Sequence, residues 1–118
     1  ARILIVDDEE ALGITLRALL TPPHHAVAVT HASEALARIE SGESYDVIFC
    51  DLMMPEISGM RFHRILSESR PDLAARIVFM TGGIGSPGVQ QFLQATRARC
   101  LEKPFSHEEL EAAIAAML

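Results

Sequence analysis

Short apolar runs alternate with segments of helical periodicity along this chain, and the alternation occurs five times. The runs that we expect to form β-strands are residues 3–6, 27–29, 47–50, 77–80 and 100–101. Three of them are unbroken apolar quartets, which is typical of parallel strands that are buried on both faces. The pattern therefore predicts a sheet with both of its surfaces covered.

The segments between these runs carry apolar residues at spacings of three and four, which predicts five amphipathic helices. Ser106, with Glu109 three residues later, predicts a capping box at the last helix. Ser86 before Pro87 predicts the start of the fourth helix, and Pro71 is expected to end the third. The expected inner faces are Leu12, Leu16, Leu19 and Leu20; Ala32, Ala35, Leu36 and Ile39; Phe62, Ile65 and Leu66; Val89, Phe92, Leu93 and Thr96; and Leu110, Ala113, Ile114 and Met117.

Five βα units in succession favour one parallel sheet with right-handed crossovers and helices on both faces. The chain has 118 residues, the size of one domain, so residues 1–118 are expected to form a single α/β domain. In open sheets of this kind, ligands bind beyond the carboxyl ends of the strands. Functional residues should therefore be sought where strands end.

Composition and charge exclude several classes of function. Ten basic against sixteen acidic residues give a net charge of −6, whereas nucleic-acid binding needs a positive surface, so direct nucleic-acid binding is not expected. No apolar run has the length of a membrane span, and no signal peptide is apparent. Two cysteines are too few for a disulfide scaffold, so a cytoplasmic location is expected. Because the first residue is Ala1 rather than Met, we expect a trimmed chain or one excised from a longer protein.

Three carboxylates, a threonine and a lysine stand at the predicted strand ends. Asp7 and Asp8 follow the first strand and Asp51 follows the third, and these strands are neighbours if the sheet has the order 2-1-3-4-5. Close carboxylates repel one another, and a small set of oxygen ligands with positions left for water and phosphate favours Mg²⁺. Thr81 and Lys103 offer a hydroxyl and a positive charge to phosphoryl oxygens. Because an aspartate can attack phosphorus, the group predicts a phosphoryl acceptor with its own Mg²⁺ site.

Four short motifs contain these residues, and Lys103 is the only lysine of the chain. The motifs are Val6-Asp7-Asp8-Glu9, Asp51-Leu52-Met53-Met54-Pro55 with Gly59, Met80-Thr81-Gly82, and Lys103-Pro104-Phe105. They resemble the motifs of the response-regulator receiver domains of two-component signalling, of the chemotaxis-regulator-like kind. The resemblance runs from residue 3 through residue 117 and implies a flavodoxin-like (βα)5 doubly wound sheet with strand order 2-1-3-4-5.

The resemblance implies how the acidic residues act. Asp51 resembles the aspartate that takes a phosphoryl group from a phosphohistidine, on a histidine kinase or a phosphotransfer domain. Asp8 resembles the direct Mg²⁺ ligand, and Asp7 resembles the one that acts mainly through metal-bound water. Asp51 and the backbone carbonyl of Met53 are expected to complete the protein's share of the coordination. The Met53 side chain is expected to lean over the site and hinder water.

Roles for the remaining matched residues follow from the same resemblance. Thr81 and the amide of Gly82 are expected to bind phosphoryl oxygens, and Lys103 is expected to pair with them. The peptide bond before Pro104 is expected to be cis. Such a domain is a switch that catalyses its own aspartyl phosphorylation and dephosphorylation rather than a turnover enzyme.

The chain departs from the family pattern at Cys100. Relatives that signal through a threonine–aromatic switch, which here would involve Thr81, carry Tyr or Phe at this position. A cysteine has no aromatic ring that could move between exposed and buried positions, so the resemblance does not extend to this signalling route. A disulfide with Cys50 is not expected, since strand four separates the two cysteines. The glycine-rich residues 82–88 fit a turn and also a loop that phosphate would order.

Partners and rival functions remain open at the level of sequence. The resemblance implies a downstream partner on the face of the fourth helix, the fifth strand and the last helix, with Val89, Arg97, Glu102 and Glu111 as candidates. By resemblance, Cys100 and the glycine-rich loop favour the receiver of a hybrid histidine kinase over a stand-alone receiver or the receiver of a regulator with an output domain. The alternative is a receiver-like interaction module that is not phosphorylated. A flavin carrier is disfavoured because the first βα turn is acidic where phosphate would bind.

Overall fold

The computed structural model describes residues 1–83 and 87–118. Its five strands are all parallel and form one sheet in the order β2-β1-β3-β4-β5, which confirms the predicted flavodoxin-like topology. The second and fifth strands are each two residues longer than predicted. The strands are β1 (Arg2–Val6), β2 (His25–Val29), β3 (Val47–Asp51), β4 (Ile77–Thr81) and β5 (Arg99–Glu102).

The described residues form six helices rather than the five predicted. The additional helix is α4. The third helix ends before Pro71, as predicted, but Pro71 is also the first residue of this short helix. Proline suits that position since its fixed φ is helical and its missing N–H needs no partner there. The predicted fourth and last helices are therefore α5 and α6. The helices are α1 (Glu10–Leu20), α2 (Ala32–Glu40), α3 (Gly59–Ser69), α4 (Pro71–Ala74), α5 (Pro87–Thr96) and α6 (His107–Met117).

Alternation along the strands divides the core into two layers. Ile3 and Ile5 of β1 point toward α1 and α6, where they pack with residues such as Leu16 and Ile114. Leu4 and Val6 point to the opposite face, where α2, α3 and α5 cover the sheet. Residues 3–6 are fully buried, as expected for a strand at the centre of a sheet that is covered on both sides.

Several side chains lie elsewhere than the periodicity predicts. Leu19, expected on the inner face of α1, is 45% exposed. Val89 is buried against the core, as the periodicity predicts, so its other expected place, on a partner surface, was wrong. Two histidines, His24 and His63, are half-buried: His24 pairs with Glu111, and His63 packs on aromatic rings. Helical spacing predicts a face correctly but does not say where neighbouring elements leave that face uncovered.

One of the two helix starts predicted from capping residues lies within the described residues, and it is confirmed. Ser106 and Glu109 form the predicted capping box at α6. The N-cap predicted at Ser86 lies outside the described residues. Of the helices that the structure describes, none has both the length and the apolar character needed to cross a membrane.

Gly59 allows α3 to begin directly against the end of β3. Its N–H donates to the carbonyl oxygen of Leu52 at 3.0 Å. A Cβ at this position would lie 2.5 Å from the carbonyl oxygen of Asp51 and 2.8 Å from the Cα of Leu52. Both of these neighbours are backbone atoms, which cannot move aside as a flexible side chain would.

We expect Gly59→Ala to lower the free energy of unfolding by about 1–3 kcal/mol or more, the usual cost of overpacking a close contact. Urea unfolding followed by circular dichroism measures the change. Gly83→Ala is the matched control, since a Cβ there would have no neighbour within 4 Å. Equal stability of the two variants would contradict the close approach of α3 to β3.

Candidate functional site

The predicted site residues meet at the carboxyl edge of the sheet. Asp7 directly follows β1, Asp51 is the last residue of β3, and Thr81 is the last residue of β4. The parallel register pairs Asp51 with Met80 and Thr81 with Glu102, so these strands end at nearly the same level. Lys103 follows β5, and its backbone N–H donates to the carbonyl oxygen of Thr81 at 2.7 Å.

Asp7, Asp8 and Asp51 form an acidic cluster. Each offers a carboxylate oxygen that lies within 4.8 Å of the other two. Asp7 is 1% and Asp51 6% exposed, whereas Asp8 is exposed to solvent. Burying carboxylates side by side is unfavourable unless positive charge compensates them.

Lys103 supplies part of that compensation. Its Nζ lies 2.9 Å from Oδ2 of Asp7, 3.5 Å from Oδ2 of Asp51 and 3.7 Å from Oε1 of Glu9. Burial works to lower the pKa of Lys103, but the hydrogen bond to Asp7 and the charges of the nearby carboxylates outweigh it and raise the pKa. The ammonium group is therefore held in its charged form beside the cluster.

Asp51 is held in a defined orientation at the floor of the site. The N–H of Met53 donates to Oδ1 of Asp51 at 3.1 Å, which leaves Oδ2 on the side of Lys103. Burial, together with the negative charge of Asp7, raises the pKa of Asp51, while the Met53 amide and Lys103 act in the opposite direction. Asp51 is thus a partly desolvated carboxyl whose ionised form gains from additional positive charge.

Thr81 and the start of the following loop close one side of the site. The buried Thr81 hydroxyl donates to the carbonyl oxygen of Gly83 at 2.9 Å and lies 3.2 Å from the Gly83 amide. Gly82 and Gly83 are both exposed, so the backbone at the site is accessible from solvent. The prediction for the glycine-rich loop extends over residues 84–86, which lie outside the described residues.

Together these residues line an open cleft of about 380 Å³. The Met53 side chain is 69% exposed at its mouth. Two lining residues had no predicted role in the site. Glu9 was named only as a member of the motif after the first strand, and it is the N-cap residue of α1. The position of Gly83 beside Gly82 could have indicated it. The lining residues are Asp8, Glu9, Asp51, Met53, Thr81, Gly82, Gly83 and Lys103.

A larger cleft of about 550 Å³ lies between α2 and α3. It is lined mainly by apolar side chains, including Leu36, Ile39 and Ile65, so it offers contacts to an apolar group rather than to a charged one. The acidic cleft is therefore the better candidate for chemistry, although it is the smaller of the two.

The acidic cluster suits a hard divalent cation. Carboxylate oxygens are the ligands that Mg²⁺ prefers, and the exposed Asp8 leaves one side of the cluster open to water. The residues present therefore fit the ion that the sequence analysis predicts.

Pro104 and Cys100 flank the lysine along the chain. The peptide bond between Lys103 and Pro104 is cis. Cys100 is half-buried on β5, where it stands beside Phe79 of β4. Phe79 in turn pairs with Cys50 of β3, so a strand separates the two thiols, and both are free.

Comparison with known proteins gives a consistent family. A family model described as the response regulator receiver domain matches residues 3–115. Among curated relatives, the response regulator MprA of Mycobacterium avium is 33% identical over 118 residues, which are 99% of this chain and 50% of that protein. The transcriptional regulatory protein YrkP of Bacillus subtilis is 31% identical, and the match covers 99% of this chain and 49% of that protein. The chain thus spans about half the length of these relatives.

Solved structures agree with the sequence relatives. The chemotaxis protein CheY4 of Vibrio cholerae has a TM-score of 0.84 at 27% identity, and the match covers 100% of this chain and 98% of that one. The signal receiver domain of a signal transduction histidine kinase from Syntrophus aciditrophicus has a TM-score of 0.84 at 26% identity, covering 99% of this chain and 89% of that one. The chain therefore belongs to the response regulator receiver domain family, the phosphoacceptor domains of two-component signalling.

Proposed function

We propose that Asp51 is the residue of this receiver domain that becomes phosphorylated. The single observation that carries this assignment is the position of its Oδ2 between a lysine ammonium and an open, acidic cleft. Asp7 also has an oxygen close to Lys103, but its side chain is fully buried and ion-paired at 2.9 Å. Asp51 is the more accessible of the two buried carboxylates and lines the cleft itself.

In the proposed reaction, a carboxylate oxygen of Asp51 forms a bond to the phosphorus of a phosphohistidine on a partner kinase or phosphotransfer domain. The bond between phosphorus and the imidazole nitrogen breaks, and the nitrogen keeps the electron pair and takes up a proton. The product is an acyl phosphate on Asp51. The hydrogen bond from the Met53 amide to Oδ1 fixes the carboxylate while Oδ2 faces the incoming group.

The residues that would hold Mg²⁺ are Asp8, Asp51 and the carbonyl of Met53, with Asp7 acting mainly through water bound to the ion. When bound, the cation neutralises negative charge on the carboxylates and the phosphoryl oxygens. Lys103 performs the same task from the protein itself. Its ammonium already lies 3.5 Å from Oδ2 of Asp51, which supports its pairing with the phosphoryl group.

Thr81 and Gly82 are proposed to bind the remaining phosphoryl oxygens. For Thr81 this requires its hydroxyl to leave the carbonyl oxygen of Gly83, to which it now donates. Phosphorylation would thereby change the contacts of the loop after β4, and this change is the proposed switch. With a thiol at Cys100 in place of an aromatic ring, the signal is proposed to pass through this loop rather than through a rotating side chain.

Residues 1–118 are proposed to act as one receiver unit, alone or within a longer protein such as a hybrid histidine kinase. The match to the sensor kinase CckA of Brucella abortus supports the latter origin: it covers all of this chain but only 12% of that protein. A cytoplasmic location is part of this proposal. The face of α5, β5 and α6 remains the proposed downstream surface, now with the exposed Arg97 and Glu102 and the partly exposed Glu111. The intact acidic cleft disfavours an interaction module without phosphorylation.

Incubation with Mg²⁺ and acetyl phosphate should add about 80 Da to the protein, the mass of one phosphoryl group, because acetyl phosphate replaces the partner as donor. Intact-protein mass spectrometry measures the adduct. Asp51→Asn should remain unmodified, and removal of Mg²⁺ by a chelator should suppress the adduct on the wild type. Asp72→Asn is the matched control, since Asp72 is an exposed aspartate paired with Arg70 away from the cleft. A full adduct on Asp51→Asn would overturn the assignment.

The phosphorylated state should be longer-lived with Met53 than with a polar residue at that position. The exposed thioether stands at the mouth of the cleft, where it would obstruct water approaching the acyl phosphate. We expect Met53→Asn to accelerate dephosphorylation several-fold, followed as loss of the adduct after removal of the donor. Leu118→Asn, which changes an equally exposed apolar residue at the end of the chain, should leave the rate unchanged. An unchanged rate in Met53→Asn would remove this role for the side chain.

A further inference from the structure

A second polar cleft lies between α3 and α5, on the side of α3 that faces away from α2. It has a volume of about 540 Å³ and is separate from the acidic cleft, with which it shares no lining residue. Among the described residues that line it, none carries a carboxylate. The lining residues are Ser58, Met60, Arg61, His63, Arg64, Ser67 and Phe92.

Two guanidinium groups give this cleft its charge. Arg61 and Arg64 are three residues apart on α3, a spacing that places them on one face of the helix, and both are exposed. Within residues 1–83 and 87–118, neither of them forms an ion pair, a property that they share with Arg17, Arg76, Arg97 and Arg99, whereas Arg2, Arg38 and Arg70 have carboxylate partners. Arg61 and Arg64 differ from the other unpaired arginines because the two line the same cleft, in which no described residue carries a carboxylate.

Hydroxyl groups lie beside the two arginines. Ser58 is the N-cap of α3, and its Oγ accepts the N–H of Arg61 at 3.2 Å, so its own proton points away from that bond. Ser67 also lines the cleft, but its hydroxyl already donates to the carbonyl oxygen of His63 at 2.8 Å, which leaves Ser58 as the available hydroxyl donor. A guanidinium pair with a serine hydroxyl is the donor set that binds phosphate oxygens, and the positive end of the α3 dipole adds to it.

Aromatic rings form the wall of the cleft next to these donors. The rings of His63 and Phe92 meet edge to face with centroids 5.4 Å apart, and His63 also lies 6.0 Å from Phe79. Burial lowers the pKa of His63, which favours the neutral ring at neutral pH. The cleft therefore combines a cationic rim with an uncharged aromatic surface.

We propose that the cleft between α3 and α5 binds a small organic phosphate, whose phosphate group lies between Arg61 and Arg64 and whose organic part packs on Phe92. Charge complementarity specifies the anionic group, and the neighbouring ring specifies an attached apolar or aromatic group. The volume of the cleft exceeds what inorganic phosphate alone would need. This site is independent of phosphorylation at Asp51.

Titration of Asp51→Asn protein with phenyl phosphate, in the absence of Mg²⁺ and followed by ¹H–¹⁵N NMR, tests the proposal without contribution from the acidic cleft. We expect saturable shifts of the amide signals of residues 58–67 and of Phe92. Phenyl phosphate should bind several-fold more tightly than inorganic phosphate, because only the former can contact the aromatic wall. Arg61→Gln and Arg64→Gln should each weaken binding about tenfold, since charge-assisted hydrogen bonds to phosphate are the strong class.

Arg17→Gln is the matched control, because Arg17 is an exposed arginine of α1 on the opposite side of the sheet. It should bind phenyl phosphate as tightly as the parent. The spectra of all variants in the absence of ligand report whether the fold is retained. Shifts that do not saturate, that occur around Gly82 and Lys103 instead, or that persist equally in Arg61→Gln and Arg64→Gln would overturn the proposal.

Discussion

Repulsion among the carboxylates of Asp7, Asp8 and Asp51 is the interaction on which the edge of this sheet depends. Two of these groups are almost fully buried, and all three lie within 4.8 Å of one another. One ammonium group, that of Lys103, faces them, so negative charge exceeds positive charge in the cleft. A cleft with this excess of negative charge attracts cations, and binding of a divalent cation would reduce the repulsion among the carboxylates. Burial raises the pKa of Asp51 because it disfavours the charged carboxylate, and the negative charge of Asp7 raises it further despite the lysine nearby.

The rest of the fold maintains this unfavourable arrangement. Strand residues that alternate between two apolar layers hold β1 and β3 in register, which fixes the distance between Asp7 and Asp51. Gly59 then allows α3 to start against the end of β3, next to the site. The stability of the core thus supports a site that is itself electrostatically costly. Stored repulsion at a functional site, compensated by well-packed surroundings, is common in proteins that bind ions.

Fold and site were predictable from sequence to different degrees. Uninterrupted apolar quartets such as residues 3–6 identify buried parallel strands, and the four motifs at strand ends identify the residues that converge. The sequence does not reveal which oxygen of Asp51 faces Lys103, nor that the Thr81 hydroxyl is engaged with Gly83, because both depend on backbone geometry after the strands. Val89 was assigned to the inner face by helical periodicity, and it is buried there; its assignment to a partner surface, which came from the family resemblance, was wrong because a side chain buried against the sheet is not available to a partner.

The central claim, that the acidic cluster is completed by a divalent cation, is tested most directly by the free energy of unfolding in urea with and without Mg²⁺. Because Mg²⁺ would bind the native cluster and not the unfolded chain, the wild type should gain stability as Mg²⁺ is added. Asp8→Asn removes one repelling charge from an exposed position, so it should be more stable than the wild type without Mg²⁺ and respond little to the ion. A wild type that is insensitive to Mg²⁺, or an equal response in Asp8→Asn, would contradict the account.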